Sequence, residues 1–139
     1  MSPFYLAAGL VVLLGCESTL GPPFQPVVPA DDTALVYLYR QSHFVGGGVA
    51  GKVSADDHAV GLMLNGSYVP YRVRAGRHVF SFGTASIVAL DVHAHETRYV
   101  EYRTSFGGIS LAEVPAEQGS RDIRNCALMP GGYDGRDRL

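Results

Sequence analysis

Beyond residue 33 the chain runs in short stretches of alternating apolar and polar positions, broken by Gly, Asn and Asp, a pattern of strands joined by tight turns. Ala34-Leu35-Val36-Tyr37-Leu38-Tyr39-Arg40 is apolar on both alternating faces, which predicts a central strand covered on each side. A second strand is expected over residues 49–54, turned by Asp56-Asp57-His58 into Ala59-Val60-Gly61-Leu62-Met63, and Asn65-Gly66 marks another turn. Residues 69–73 read as a strand interrupted at Pro70, which suits an edge or an entry position. Arg74-Ala75-Gly76-Arg77 turns the chain into His78-Val79-Phe80-Ser81-Phe82. Over residues 86–94, Val88, Leu90, Val92 and Ala94 fall on one face, with Asp91, His93 and then His95 on the other. Residues 98–104 and 109–114 are the last strands. Pro115 is suited to open a short helix ending near Cys126, with Glu117 in its first turn, Arg121 and Arg124 towards its end, and Gly119 weakening it. The fold class that follows is mainly β, a single antiparallel β-sandwich with one short C-terminal helix.

The N-terminus carries a different pattern. Residues 4–14 form an uninterrupted apolar run, long enough for the core of a signal peptide and short of the roughly 20 residues of a spanning helix. The run closes on Leu13-Leu14-Gly15-Cys16, which resembles a bacterial lipobox. The resemblance implies cleavage before Cys16 and acylation of its sulfur and new amino group with diacylglycerol and a fatty acid such as palmitate. Several acyl chains on one residue anchor firmly where a single chain binds only marginally. No Lys or Arg precedes Phe4, and Leu14 is bulkier than the small residue common two places before the Cys. An ordinary apolar segment with a chance Cys is the competing reading.

Residues 17–33 turn to Pro, Ser, Thr and Asp, with Pro22, Pro23, Pro26 and Pro29 spaced against any helix or ladder. The segment reads as a linker able to hold the domain up to about 50 Å from the anchor, at roughly 3.1 Å per residue. Glu17 follows the Cys where Asp acts in some bacteria as an inner-membrane retention signal, so the periplasmic face of the outer membrane is favoured. The expected organisation is a signal peptide over 1–15, the lipidated Cys and linker over 16–33, the domain over 34–126 and a disordered tail over 127–139. Of the 139 residues about 120 remain after cleavage, enough for one modest core.

A net charge of −2 with scattered Lys and Arg offers no electrostatic footprint for nucleic acid. There are two cysteines, Cys16 and Cys126. Acylation of Cys16 leaves Cys126 as a half-buried structural thiol; without acylation an oxidising compartment could pair the two.

Several motifs occur in a fixed order: residues 34–40, Gly46-Gly47-Gly48, the Asp57 hairpin with Gly61, Asn65-Gly66-Ser67-Tyr68, and Ala75-Gly76-Arg77-His78. In this order the chain resembles the DUF2846 family, small, mostly bacterial and often lipid-anchored proteins of unknown function, over roughly residues 34–114. The Gly-X-His turn also resembles PEGA-type and transthyretin-like sandwiches, which are commonly accessory modules in envelope proteins; Arg74 stands where a Pro often precedes that turn. The resemblance implies a sandwich and supplies no catalytic residues.

Three constellations bear on chemistry. Gly46-Gly47-Gly48-Val49-Ala50-Gly51-Lys52-Val53 satisfies seven of the eight positions of a P-loop, but Val53 supplies no hydroxyl for Mg²⁺ and no helix follows to face a phosphate. Asp91, His93 and His95 at a spacing of two could line one strand face as metal ligands, with His58 or His78 completing the set; a solvated face is the plainer account. Tyr37, Tyr39, Tyr68, Tyr71, Tyr99 and Tyr102 could line a surface for sugar or protein, or pack in the core. No Gly-X-Ser-X-Gly elbow is present. The expectation is a lipid-anchored, non-enzymatic envelope module without a cofactor, contacting the membrane and an envelope protein or glycan. The alternative is a periplasm-facing metal- or small-ligand-binding domain built on Asp91, His93 and His95.

Overall fold

A computed structural model describes residues 20–30, 32–43 and 50–130. Cys16, expected from the sequence to be acylated, the Gly46-Gly47-Gly48 stretch and residues 131–139 lie outside the described residues. The strands are β1 (Thr33–Tyr39), β2 (Gly51–Ala55), β3 (His58–Met63), β4 (Ser67–Arg74), β5 (Gly76–Phe82), β6 (Ser86–Val92), β7 (Thr97–Ser105), β8 (Gly108–Val114) and β9 (Ala127–Leu128). A helix, α1 (Ala116–Asp122), and a 3-10 turn at Ile123–Asn125 precede β9.

The strands form two sheets, one in the order β8-β7-β1-β4-β9 and the other β3-β2-β5-β6. All seven residues of β1 are buried, as its two-faced apolar run requires. Ala34, Val36 and Leu38 enter the core between the sheets, beside Val53, Val69, Phe80, Leu90 and Val100. Leu35, Tyr37 and Tyr39 enter a second cluster on the opposite face, with Tyr68, Tyr99, Val114, Ile123 and Cys126. The sandwich is thus mainly β, with one short C-terminal helix on its outer side.

The sandwich is largely antiparallel, as expected, with two parallel pairs: β1 with β7, while β4 lies antiparallel on its other side, and β4 with the short β9. The chain leaves the second sheet at the end of β6, turns through His93-Ala94-His95-Glu96, and re-enters the first beside β1 running in the same direction. Cover on both faces makes a parallel neighbour tolerable there. The link from β4 to β5 is the single residue Ala75, so the turn at Arg74-Ala75-Gly76-Arg77 is a corner between sheets. Pro70 sits within β4 opposite Tyr37, and β4 runs on through it. β9 pairs only with Ser67 and Tyr68, so Pro70 occupies open edge where its missing N–H costs no ladder bond.

The linker and tail boundaries also differ from expectation. Ala127 and Leu128 form β9, and Met129 is buried in the inter-sheet core, so the ordered domain runs past residue 126. Before β1, Gly21 donates its N–H to the Leu128 carbonyl at 2.7 Å, Phe24 to the Cys126 carbonyl at 2.9 Å, and the Leu128 N–H reaches the Pro22 carbonyl at 2.8 Å. Proline lacks a donor but keeps its acceptor, and here the donors come from the residues flanking the Pro22-Pro23 pair. Phe24 then packs edge-on against Tyr37 and Tyr68, with centroids 5.4 and 5.1 Å away. The Val27 N–H donates to the Tyr37 hydroxyl at 2.8 Å. Residues 21–27 are a strap docked on the sheet, and Pro spacing alone did not reveal it because aromatic burial overrides the linker composition.

Opposite the strap, α1 seals the same face. Gly119 weakens the helix in isolation, yet a Cβ built there would lie 2.3 Å from Cγ of Tyr99, so the close packing admits nothing larger. Replacing a helical Gly by Ala ordinarily stabilises by about 1 kcal/mol. Gly119→Ala should instead lower stability, by up to about 2 kcal/mol, since overpacking of this kind costs about 1–3 kcal/mol and offsets that gain. A denaturant midpoint raised by the substitution would contradict this packing.

Candidate functional site

The metal candidates can be placed first. β6 ends at Val92, and His95 adopts φ of 69° in the following turn, so the period of two fails before the row of three is complete. Asp91 faces Arg77 across the exposed surface at 3.5 Å. His93 turns its Nδ1 to Glu96 at 3.1 Å while its backbone N–H donates to the same carboxylate at 2.9 Å. These bonds, the backbone one foremost, hold the Glu96 carboxyl below its ordinary range. Arg98 joins the array by donating to Glu113 at 2.7 Å and to Glu96 at 3.3 Å. The bond to Glu113 leads in raising the pKa of its guanidinium.

The corner also pins backbone, with the His95 N–H on the Thr33 carbonyl and the Leu35 N–H on the Glu96 carbonyl. The sequence-derived metal set is therefore corrected: Asp91, His93 and His95 diverge. Among the described residues no three His, Cys, Asp or Glu side chains gather where they could hold a metal ion. His58 is exposed at the start of β3. His78 is engaged elsewhere, its Nδ1 2.6 Å from Oδ2 of Asp56 and its Nε2 2.7 Å from the Arg74 carbonyl. Asp56 and Asp57, with φ of 47° and 63°, form the β2–β3 turn, and Asp56 Oδ1 accepts the Val79 N–H at 2.8 Å. The part of the P-loop-like stretch that is described is residues 50–53, of which 51–53 lie in β2.

The six tyrosines are likewise placed in the core. Tyr37, Tyr39, Tyr68 and Tyr99 belong to the cluster under the strap and helix, with Tyr37 stacked on Tyr99 at 5.5 Å. Tyr71 and Tyr102 lie between the sheets, edge-on to Phe80 and Phe82. Burial raises the pKa of Tyr37, Tyr39, Tyr99 and Tyr102 above the ordinary phenol range.

What composition did not single out is a polar cluster at the C-terminal end of β1. Its alternation continues past Leu38, so Arg40 enters the inter-sheet side and is 1% exposed. Its Nη1 donates to the Met63 carbonyl at 3.0 Å, and its guanidinium lies 5.1 Å from the Tyr102 ring centroid. Burial lowers its pKa, the nearby Tyr102 hydroxyl opposing this. On the other face, Gln41 bridges two carboxylates, donating from Nε2 to Glu101 at 2.8 Å and to Asp122 at 3.4 Å. Glu101, 4% exposed, also receives Arg103 Nε at 2.5 Å, and the Tyr39 hydroxyl donates to Asp122 at 3.3 Å. Period two carried this signal: Tyr99, Glu101 and Arg103 share a face, as do Leu38 and Arg40. These contacts fix the end of α1 to β1 and β7.

Cys126 lies beside this cluster, its thiol 3.6 Å from the Arg40 carbonyl. It is 2% exposed, more deeply placed than the half-buried thiol expected. Burial, followed by the negative fields of Asp122 and Glu101, pushes its pKa up to about 11. A raised folded value means the thiol supports folding fully below its ordinary value of 9.0 and progressively less as pH climbs towards 11. Iodoacetamide at mildly alkaline pH should modify folded protein at least about tenfold more slowly than protein unfolded in urea. Equal rates would place the thiol at the surface.

The Tyr102 hydroxyl is buried with no hydrogen-bond partner among the described residues, wedged where a Cβ on Gly51 would approach within 2.1 Å. A buried unpaired hydroxyl costs about 1–3 kcal/mol. Tyr102→Phe should therefore leave stability unchanged or raise it by about 1 kcal/mol, and a clear loss in chemical denaturation would reveal a partner.

No curated protein and no solved structure matches the chain. A family model does match, over residues 30–116, spanning β1 to β8 with the polar cluster's Arg40, Gln41, Glu101 and Arg103 inside it and Asp122 and Cys126 beyond it. On that match, which covers more than half of its length, the chain belongs to the DUF2846 family, proteins of unknown function.

Proposed function

We propose that the protein is a lipid-anchored module of a bacterial cell envelope, held at a membrane through acylated Cys16 and acting by binding or bracing another envelope component without catalysing a reaction. The observation that carries the reading is Leu13-Leu14-Gly15-Cys16, standing directly ahead of a segment that the domain itself grips. A thiol placed after a short apolar run and a small residue suits signal-peptide cleavage and thioether formation. The divergence of Asp91, His93 and His95 favours binding or bracing over metal chemistry. The partner proposed is an envelope protein or glycan; a net charge of −2 argues against nucleic acid. Glu17 in place of Asp favours the periplasmic face of the outer membrane.

The reading predicts that cells supplied with a palmitate analogue will label the wild-type protein and not Cys16→Ala, and that the variant will shift from the membrane to the soluble fraction. Equal labelling of both, or of neither, would remove it.

A further inference from the structure

The strap changes how far the anchor can reach. If residues 16–33 were a free spacer, the domain could stand about 50 Å from Cys16. Gly21 is instead bonded to Leu128, and Phe24 is bonded to Cys126 and packed between Tyr37 and Tyr68. Only the chain from Cys16 to Gly21 is left as tether. Five residues span at most about 18 Å when fully extended. The tether also leaves from one side of the molecule: Pro23 bridges to Ala127 of β9, and β9 ends the sheet whose far edge is β8. Four strand intervals of about 4.8 Å separate β9 from β8, and the strap adds roughly one more, about 24 Å in all.

We infer that the strap and the β9 edge form the membrane-facing side of the anchored domain, held against the lipid surface that carries Cys16, with β8 turned towards the envelope space. This rests on the lipid-anchored reading and adds to it both a distance and a side. The face offered to a partner is then the β8 and β6 flank, where the Leu111 N–H of β8 donates to Ser86 Oγ of β6 at 2.9 Å and joins the two sheets. The surface of the strap suits closeness to a bilayer: Gly21, Pro22, Pro23 and, just beyond it, Val28 are exposed and uncharged.

The acylated full-length chain, purified from membranes, provides the test. Pro22→Cys and Ser110→Cys each place one reactive thiol at the surface, on the strap and on β8, while Cys16 is blocked by lipid and Cys126 is buried. Each variant is labelled with a fluorophore and reconstituted into phosphatidylethanolamine and phosphatidylglycerol vesicles carrying a rhodamine headgroup acceptor. Energy transfer should be several-fold greater from position 22 than from position 110. A long Gly-Ser insertion after Thr19 should reduce the first and bring the two together. Equal transfer from both positions without the insertion, in protein that floats with the vesicles, would overturn the inference while leaving the anchor intact. Protein of unmodified mass that fails to float would overturn the anchor and the inference with it.

Discussion

Burying one strand on both of its faces is the constraint from which the architecture follows. The seven residues of β1 leave no side for water, so two separate covers have to be found. The second sheet provides one, meeting Ala34, Val36 and Leu38. A lone five-stranded sheet would leave Leu35, Tyr37 and Tyr39 wet, and the chain supplies their cover from its two ends, α1 and Ile123 from one and Phe24 with Val27 from the other. The phenols of Tyr37 and Tyr68 face Gln25 and Val27 on the strap, where the backbone offers donors. Apolar burial brings the strap in, and the phenolic hydroxyls fix where it lies.

The polar residues near the end of β1 obey the same geometry. Arg40 inherits the inward position that parity assigns it, and its guanidinium is accommodated by a carbonyl and an aromatic face. Gln41, one residue on, points to the opposite side and ties Glu101 to Asp122. A boundary between strand and loop has thus become a junction joining β1, β7 and the end of α1. Replacing Gln41 or Arg103 would leave the buried Glu101 carboxylate with lone pairs unmet, which is why such junctions specify geometry more than they add stability.

Much of this was legible in the residues. The two-faced run of β1, the Asp56-Asp57 turn, the alternation of Val88, Leu90 and Val92, and a helix beginning after Pro115 all follow local rules that the tertiary structure kept. Failures came where a local rule met a distant partner. Counting by twos carried Asp91 and His93 on to His95, but that count holds only while the backbone stays extended, and a left-handed residue ended it. Proline spacing argued for a free linker because it registers missing donors and says nothing of acceptors or of Phe24's ring. The parallel pairing of β1 with β7 left no local trace, since it depends on where a corner between sheets returns the chain.

The same pairing has a consequence in time. β1 finds none of its sheet neighbours close by in sequence: β4 lies beyond two strands, β7 beyond five, and the strap waits for β9 at the far end. Loop-closure entropy must be met before any of these contacts rewards it, so a chain of this topology collapses late and slowly compared with one built from neighbouring hairpins. During synthesis the most apolar strand emerges early, waits for β4 until Arg74 has been made, and waits for β7 until Ser105. That delay lengthens the time for which an apolar strand needs protection from aggregation.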